Sequence, residues 1–316
     1  MQAETRLLTP ETEHIAYAAM MLAQGRLVAM PTETVYGLAG DARNPSAVAR
    51  IFEAKGRPSF NPLIVHAPDL ATAAEIGVFH DEALRLATAF WPGAMTLVVP
   101  LREGSGIAPL VTAGLDSVAI RVPAHPVAQD LLYAFGGVVA APSANPSGRI
   151  SPTTAQHVAE GLDGKLAVIL DAGPCMVGVE STIIGWQGDY PVMLRPGGIP
   201  AEAIEACLDT TLTLPAANPD RPAAPGMLSS HYAPRASVRL NANEARDGEF
   251  LIGFGEVAGD VTLSASGDLT EAASKLFELL HRADNTGKQI AIAPIPVRGL
   301  GMAINDRLSR AAAPRP

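Results

Sequence analysis

The sequence predicts an α/β protein: a twisted, mixed sheet, then a linker, then a second and smaller α/β domain. Three observations carry this reading. Apolar runs of strand length alternate with helix-period segments over about the first two hundred residues, without the strict strand–helix–strand rhythm of an all-parallel sheet. Across Leu212 to Pro234 (LTLPAANPDRPAAPGMLSSHYAP) Pro and Ala take over and periodicity is lost, as in an extended linker. The 316 residues exceed what one core usually serves, and a hydrophobic content of 48% against 17% charged residues suits well-buried sheet. The expected division is residues 1–210, a linker over 211–235, and a small domain over 236–316.

Taken in order, Thr9-Pro10 with Glu11 and Glu13 reads as a helix start, a hydroxyl cap followed by Pro and acids at the positive dipole end, running to about Gln24 with Gly25 as its stop. Arg26 to Met30 reads as a strand that delivers a polar loop, Pro31 to Leu38. Asn44-Pro45 opens a helix with Val48, Ile51 and Phe52 on one face and an end near Lys55-Gly56. Leu63–Ala67, Met95–Pro100, Ser117–Val122, Gly137–Ala141, Leu166–Leu170, Val179–Trp186 and Pro191–Arg195 read as strands. Helices are expected over Asp81–Trp91, His125–Phe135, Pro152–Gly161 and Pro200–Leu208. Beyond the linker, strands are expected over Ser237–Leu240, Phe250–Phe254, Val261–Ser264 and Ile290–Ile295, with helices over Asp268–Ala283 and Leu300–Arg310.

Composition excludes several classes. The longest greasy region, Ile15 to Met30, is broken by Gln24-Gly25-Arg26, and the N-terminus lacks a basic segment with a cleavage site, so no membrane span is expected and a cytoplasmic location is. Cys175 and Cys207 stand far apart with no CxxC, against both a disulfide framework and a zinc site. A net charge of −9, from 23 Lys+Arg against 32 Asp+Glu, has the wrong sign for a protein that lives on nucleic acid, so any tRNA contact would be local or indirect. There is no GxxxxGK[ST], HExxH or GxSxG, and Gly253-Phe254-Gly255 has its next Gly one place too late for GxGxxG.

Candidate residues fall at strand ends and beside Gly and Pro. Lys55 and Arg57, flanking Gly56, are either a solvated basic loop or a pair of phosphate ligands. Arg121 and Arg195 each end an apolar strand, where a buried cation needs a structural carboxylate or a ligand anion. Ser143-Ala144-Asn145, Ser147-Gly148 and Ser151-Pro152-Thr153 suit anion or sugar binding near a helix N-terminus, or are ordinary turn chemistry. Together Thr34, His66, Arg121, Ser143, Asn145, Ser181 and Arg195 suggest one cleft lined from many strands.

In order, the segments PTETVYGL, KGRPxxNPLIVH, AIRVP, SANPSG, SPT, EST and LRPG make the chain resemble the YrdC-like family of threonylcarbamoyl-adenylate synthases over about residues 10–208. The segment APGMLSSHYAP and the small domain after it resemble the long, two-domain form. The resemblance implies a YrdC-like sheet with a Rossmann-like second domain, and L-threonine, bicarbonate and ATP as substrates. The products would be threonylcarbamoyl-AMP and pyrophosphate, the adenylate feeding N6-threonylcarbamoyladenosine at tRNA position 37 through a separate transferase complex. By motif, Thr34, His66, Arg121, Ser143 and Ser181 would hold threonine; Arg57, Asn61, Ser117, Asn145, Thr153, Arg195 and Tyr232 would hold ATP. Lys55 and Arg57 would handle charge at the phosphates, and Mg2+ would travel with ATP without a dedicated protein ligand set. Three other readings stand beside it. One is an RNA-binding YrdC-like module without turnover, another a small-ligand sensor. The third is the carbamoyl-transfer relative of hydrogenase maturation, whose zinc-finger CxxC pairs are missing here.

Overall fold

The computed structural model describes residues 5–213 and 231–314, so most of the expected linker, residues 214–230, lies outside the described residues. The first domain runs β1 (Arg6–Leu8), α1 (Thr12–Ala23), β2 (Val28–Met30), β3 (Gly37–Asp41), α2 (Pro45–Lys55), β4 (Ile64–His66), α3 (Leu70–Ile76), α4 (Asp81–Phe90), β5 (Met95–Pro100), α5 (Pro109–Thr112), β6 (Ser117–Arg121), α6 (Pro126–Phe135), β7 (Val139–Ala140), α7 (Ala155–Leu162), β8 (Val168–Leu170), β9 (Thr182–Gln187), β10 (Tyr190–Arg195) and α8 (Ala201–Leu208). The second domain runs β11 (Val238–Arg239), β12 (Glu249–Gly253), β13 (Val261–Thr262), α9 (Leu269–Asn285), β14 (Gln289–Ile292) and α10 (Leu300–Ala312).

The first ten strands form one mixed sheet in the order β1-β8-β2-β3-β7-β4-β6-β5-β9-β10. Its parallel pairs include β4 with β6 and β5 with β9; β2 with β3, β5 with β6 and β9 with β10 run antiparallel. The second domain has a four-stranded sheet, β11-β14-β12-β13, in which every pair is parallel. Both sheets match the expected class.

Local signals explain α2 well. The Asn44 side chain accepts from the Ser46 and Ala47 amides, Pro45 occupies the first turn, and Gly56 closes the helix at φ 61. Val48, Ile51 and Phe52 then face the main core with Leu38, Leu63 and Val65.

Among the differences from expectation, three arise because tertiary pairing claims the backbone. Helix α1 begins at Thr12, since Arg6–Leu8 pairs in parallel with Val168–Leu170 and the chain stays extended through Pro10; the Thr9 hydroxyl donates to the Glu11 carboxylate instead of capping. Helix α7 begins at Ala155 because the Pro152 and Thr153 carbonyls accept from Tyr36 N and Cys175 N, each at 2.9 Å. The expected loop through Leu38 ends at Tyr36: Gly37–Asp41 is a central strand, hydrogen-bonded between β2 and β7. A Cβ on Gly40 would stand 3.0 Å from Leu27 Cδ2 and 3.1 Å from Ile51 Cδ1, so glycine is set there by close packing.

The core of the second domain runs into the first. Phe250, Ile252, Leu276, Phe277 and Ile304 cluster with Val35, Ile150, Val179 and Tyr232, which lie next to the candidate site residues. Among the described residues no helix is long and apolar enough to cross a membrane.

Candidate active site

Strand ends of the large sheet converge with five connecting segments on one cavity. Its lining includes Thr32, Thr34, Arg57, His66, Arg121, Ser143, Glu180, Ser181, Arg195, His231 and Tyr232. The five residues expected to hold threonine are all among them. On the expected nucleotide side, so are Arg57, Arg195 and Tyr232.

The β2–β3 connection is a hydroxyl-locked turn. Thr32 Oγ1 donates to the Val35 carbonyl at 2.6 Å and accepts from the Thr34 and Val35 amides, each at 3.2 Å. This presents Thr34 Oγ1 to Arg121, whose Nη1 donates to it at 2.8 Å. Arg121 also donates from Nε to the Gly93 carbonyl at 3.1 Å and from Nη2 to Glu33 Oε1 at 2.5 Å. Of the choices open in sequence, a structural carboxylate does answer Arg121. Among the described residues, three of the five N–H donors are used, which leaves two for a ligand carboxylate.

His66 lies beside Arg121 in register. Burial, then the Arg121 charge, drive its pKa down to about 3, so the ring is neutral at physiological pH and its unprotonated nitrogen is an acceptor. Ser181 and Arg195 form the opposite wall: Arg195 Nη2 donates to the Ser181 carbonyl at 2.9 Å and to Ser181 Oγ at 3.2 Å, and Ser181 Oγ meets Thr96 Oγ1 at 2.7 Å. Gly197 packs directly behind this wall, where a Cβ would approach Glu180 O, Ser181 C and Thr182 N to 2.4 Å, all backbone atoms that cannot swing aside. Gly197→Ala is therefore expected to destabilise by about 1–3 kcal/mol in denaturant unfolding.

Arg57 closes its own loop, donating from Nε to the Asn61 carbonyl at 3.1 Å and from Nη2 to the Pro62 carbonyl at 2.8 Å. Burial, then repulsion from Arg195, lower its pKa to about 10, with Tyr232 opposing. Lys55 takes a different position from the one expected. It does not line the cavity; its Nζ donates to the Ser143 carbonyl at 2.6 Å and the Asn145 carbonyl at 2.5 Å, and burial followed by Arg57 lowers its pKa. Its ammonium braces the SANPSG turn from below.

The remaining expected nucleotide residues are outside the cavity lining. Asn61 is buried with both amide atoms unpartnered among the described residues. Asn145 Nδ2 donates to the Pro146 and Arg149 carbonyls while Oδ1 is unpartnered, and the residue faces a neighbouring cleft shared with His157 and His281. Thr153 lies against His157, whose Nδ1 accepts from its amide at 3.3 Å. Ser117 starts β6 opposite Pro100, four residues from Arg121, or about 13 Å at ~3.3 Å per residue; it borders a separate depression with Trp186 and Leu194. The structure does not bring Ser117 to this cavity.

Glu33, Glu180, His231 and Arg307 are the residues that sequence reasoning missed. Glu33 and Glu180 stood inside quoted motifs, but nothing local marks a carboxylate as the partner of a distant arginine. Glu180 accepts from Ser151 Oγ at 2.5 Å and from Arg307 Nε at 2.9 Å. Tyr232 takes a left-handed backbone, φ 58, at a cost of about 1–3 kcal/mol, with its ring 5.6 Å from Phe277 and its hydroxyl buried and unpartnered among the described residues.

Three histidines make stability acid-sensitive. Burial, as the first cause in each, brings His66, His157 and His231 from 6.5 to about 3. A folded pKa below the unfolded one means the unfolded chain takes up protons first. Stability is thus complete above about pH 6.5 and falls below it, by up to about 1.4 kcal/mol per pH unit per histidine, less for the more exposed His157. Thermal melts at pH 7.5 and 5.5 are expected to differ clearly; equal melting temperatures would contradict the burial of neutral imidazoles.

Chemically, Lys55, Arg57 and Arg195 gather on one side and Arg307 lies behind Glu180, more buried positive charge than the site's carboxylates offset, which suits a polyanion. The opposite side, with Arg121, neutral His66 and small hydroxyls, suits a compact zwitterion. Among the described residues no group of three or more His, Cys, Asp or Glu could hold a metal ion.

Comparison with known proteins identifies the family. Residues 20–197 match the family model Sua5_yciO_yrdC, described as Telomere recombination, and residues 199–313 match that of the threonylcarbamoyl-AMP synthase C-terminal domain. The chain is 41% identical to the threonylcarbamoyl-AMP synthase of Bacillus subtilis, covering 98% of this chain and 95% of the relative. It is likewise 41% identical to that of Pyrococcus abyssi, covering 94% of each. The crystal structure of P. abyssi Sua5 complexed with L-threonine superposes with a TM-score of 0.89 at 39% identity, covering 98% of this chain and 97% of that one. The chain belongs to the Sua5/YciO/YrdC family, in the form that carries the threonylcarbamoyl-AMP synthase C-terminal domain.

Proposed function

We propose that this chain is an L-threonylcarbamoyladenylate synthase, converting L-threonine, bicarbonate and ATP to threonylcarbamoyl-AMP and pyrophosphate. The observation that carries the reading is the two-sided cavity, a zwitterion-sized pocket around Arg121 beside the buried guanidinium groups of Arg57 and Arg195, in a chain 41% identical to named synthases over nearly its whole length.

In the reaction the threonine amine, as the free base, adds to bicarbonate carbon, and loss of water leaves a carbamate. A carbamate oxygen then attacks the α-phosphorus of ATP, forming a new P–O bond as the bond to the β-phosphate oxygen breaks and pyrophosphate leaves. No covalent intermediate on the protein is needed. The residues act by alignment, neutralisation of phosphate charge and exclusion of water from a labile mixed anhydride.

In this reading Arg121 pairs with the threonine carboxylate while Thr34, neutral His66, Ser143 and Ser181 orient its amine and hydroxyl. Arg57 and Arg195 take the phosphates, and Tyr232 covers the nucleotide. The unpartnered amide atoms of Asn61 and Asn145 support a further polar ligand close to the cavity. Lys55 acts through the Ser143–Asn145 turn. Mg2+ enters as part of the Mg–ATP substrate, carried by phosphate oxygens and water. That fits a site whose own carboxylates, Glu33 and Glu180, are already held by Arg121 and Arg307.

The adenylate is then consumed by a tRNA-modifying transferase in the cytoplasm, and the net charge of −9 suits an enzyme that hands over its product without holding tRNA. Incubation with ATP, threonine and labelled bicarbonate should yield label in an AMP-linked product. Salt-dependent RNA binding with no labelled product would favour the binding-module alternative and overturn the reading.

A further inference from the structure

Arg307 on α10 is the largest fully buried side chain of the described residues, yet it belongs to the second domain and its charge is directed at the first. Its Nε donates to Glu180 Oε2 at 2.9 Å, its Nη1 donates to the Pro196 carbonyl and, at 3.1 Å, to Asp306 Oδ2, and its guanidinium carbon lies 5.4 Å from the centre of the Tyr232 ring. One side chain thus braces three segments that line or adjoin the cavity: the one before Ser181, the one after Arg195, and the one that closes over both. The second oxygen of Glu180 holds Ser151 Oγ, and the Ser151 carbonyl in turn accepts from His281 Nε2 of α9 at 3.2 Å. Both helices of the second domain therefore end on site-forming backbone.

We propose that Arg307 is a positioning residue of the reaction: by pairing Glu180 and bracing the Pro196 carbonyl it holds the Ser181 and Arg195 walls in their working geometry, so that turnover requires the docked second domain. The proposal rests on the function proposed above.

Glu180 is faced by Arg307, with Asp306 behind it, from α10; by Arg195 from β10; by Ser151; and by His231 and Tyr232, with Arg57 and Lys55 beyond His231. Burial pushes its pKa up, and the charges of Arg307 and Arg195 with the Ser151 hydroxyl more than offset this, so it is held ionised. Without Arg307 the carboxylate would ionise unpaired and draw Arg195 away from Ser181.

The test measures pyrophosphate release from pH 5.5 to 8.5 for the full chain, Arg307→Lys, Arg307→Met and the double variant Glu180→Gln/Arg307→Met, with folding checked by circular dichroism. At pH 8 the Met variant is expected to lose about 10²-fold in kcat. Relative to wild type its activity should fall as pH rises, through a new ionisation above the usual carboxylate range. Lys should restore most of the rate, and the double variant should regain activity over the Met variant and lose the new ionisation. A folded Met variant within about threefold of wild type, or a loss equal at every pH and unrelieved by Glu180→Gln, would overturn the proposal. If the Met variant does not fold, failure of Lys to exceed the double variant in rate would do so. Absence of wild-type turnover would count against the proposed function instead; L-threonine binding by calorimetry on the same proteins would then decide on Arg307, with the same order expected.

Discussion

Arg57→Ala is expected to lower threonine- and bicarbonate-dependent pyrophosphate release by about 10²–10³-fold, the scale for removing one preorganised charge partner of a transition state. Two effects add in this variant. A guanidinium is lost from the polyanion side, and the Asn61 and Pro62 carbonyls lose the donors that shape the 57–62 loop. Arg57→Lys separates them, because an ammonium keeps the charge but cannot bridge two carbonyls and a phosphate from one planar fork. Lysine is therefore expected to recover only a small part of the rate, with a raised KM for ATP. A near-normal rate in both variants would remove Arg57 from the phosphate site. Lys55→Ala is expected to act less directly, since its nitrogen holds the Ser143–Asn145 turn.

Arg121→Met is expected to weaken L-threonine binding by at least about 2 kcal/mol, some 30-fold, as on truncating one member of a buried charge pair. It should also destabilise the fold by about 3–5 kcal/mol, because Glu33 is left as an uncompensated carboxylate. Glu33 has been held below its ordinary range: burial raises it, and the Arg121 charge and hydrogen bond outweigh burial. A lowered folded pKa gives stability that is present above the unfolded value of 4.5 and lost as pH falls through the folded one. The double variant Glu33→Gln/Arg121→Met removes the orphaned charge. It should regain stability in denaturant melts without regaining threonine affinity; recovery of both would mean that Arg121 serves only the fold.

What was legible in the sequence follows from how local each signal is. Asn44, Pro45 and Gly56 delimit α2 because a cap, a first-turn proline and a left-handed glycine act within a few residues. The clustering of Thr34, His66, Arg121, Ser143 and Ser181 was legible because polar residues at or just beyond the ends of apolar strands are brought together when those strands share a sheet. Strand β3 was not, since Gly37 and Gly40 carry no strand propensity and are set by Ala141, Leu27 and Ile51 from other elements. The carboxylate partners were not either: Glu33 meets Arg121 across 88 residues and Glu180 meets Arg307 across 127. Lys55 was expected to add charge at the phosphates, whereas it does not line the cavity. Its ammonium instead donates to the Ser143 and Asn145 carbonyls, partners that no local signal in the sequence marks. Ser117 shares a strand with Arg121, and the strand's length separates them.

The central claim, that one cavity joins a threonine-sized pocket to a phosphate-binding wall and couples them chemically, is tested most directly by pyrophosphate release from ATP with L-threonine and bicarbonate supplied singly and together. Release is expected only when both are present, and is expected to be lost in Arg57→Ala; release from ATP alone, or none with both co-substrates present, would rule out a coupled two-sided cavity.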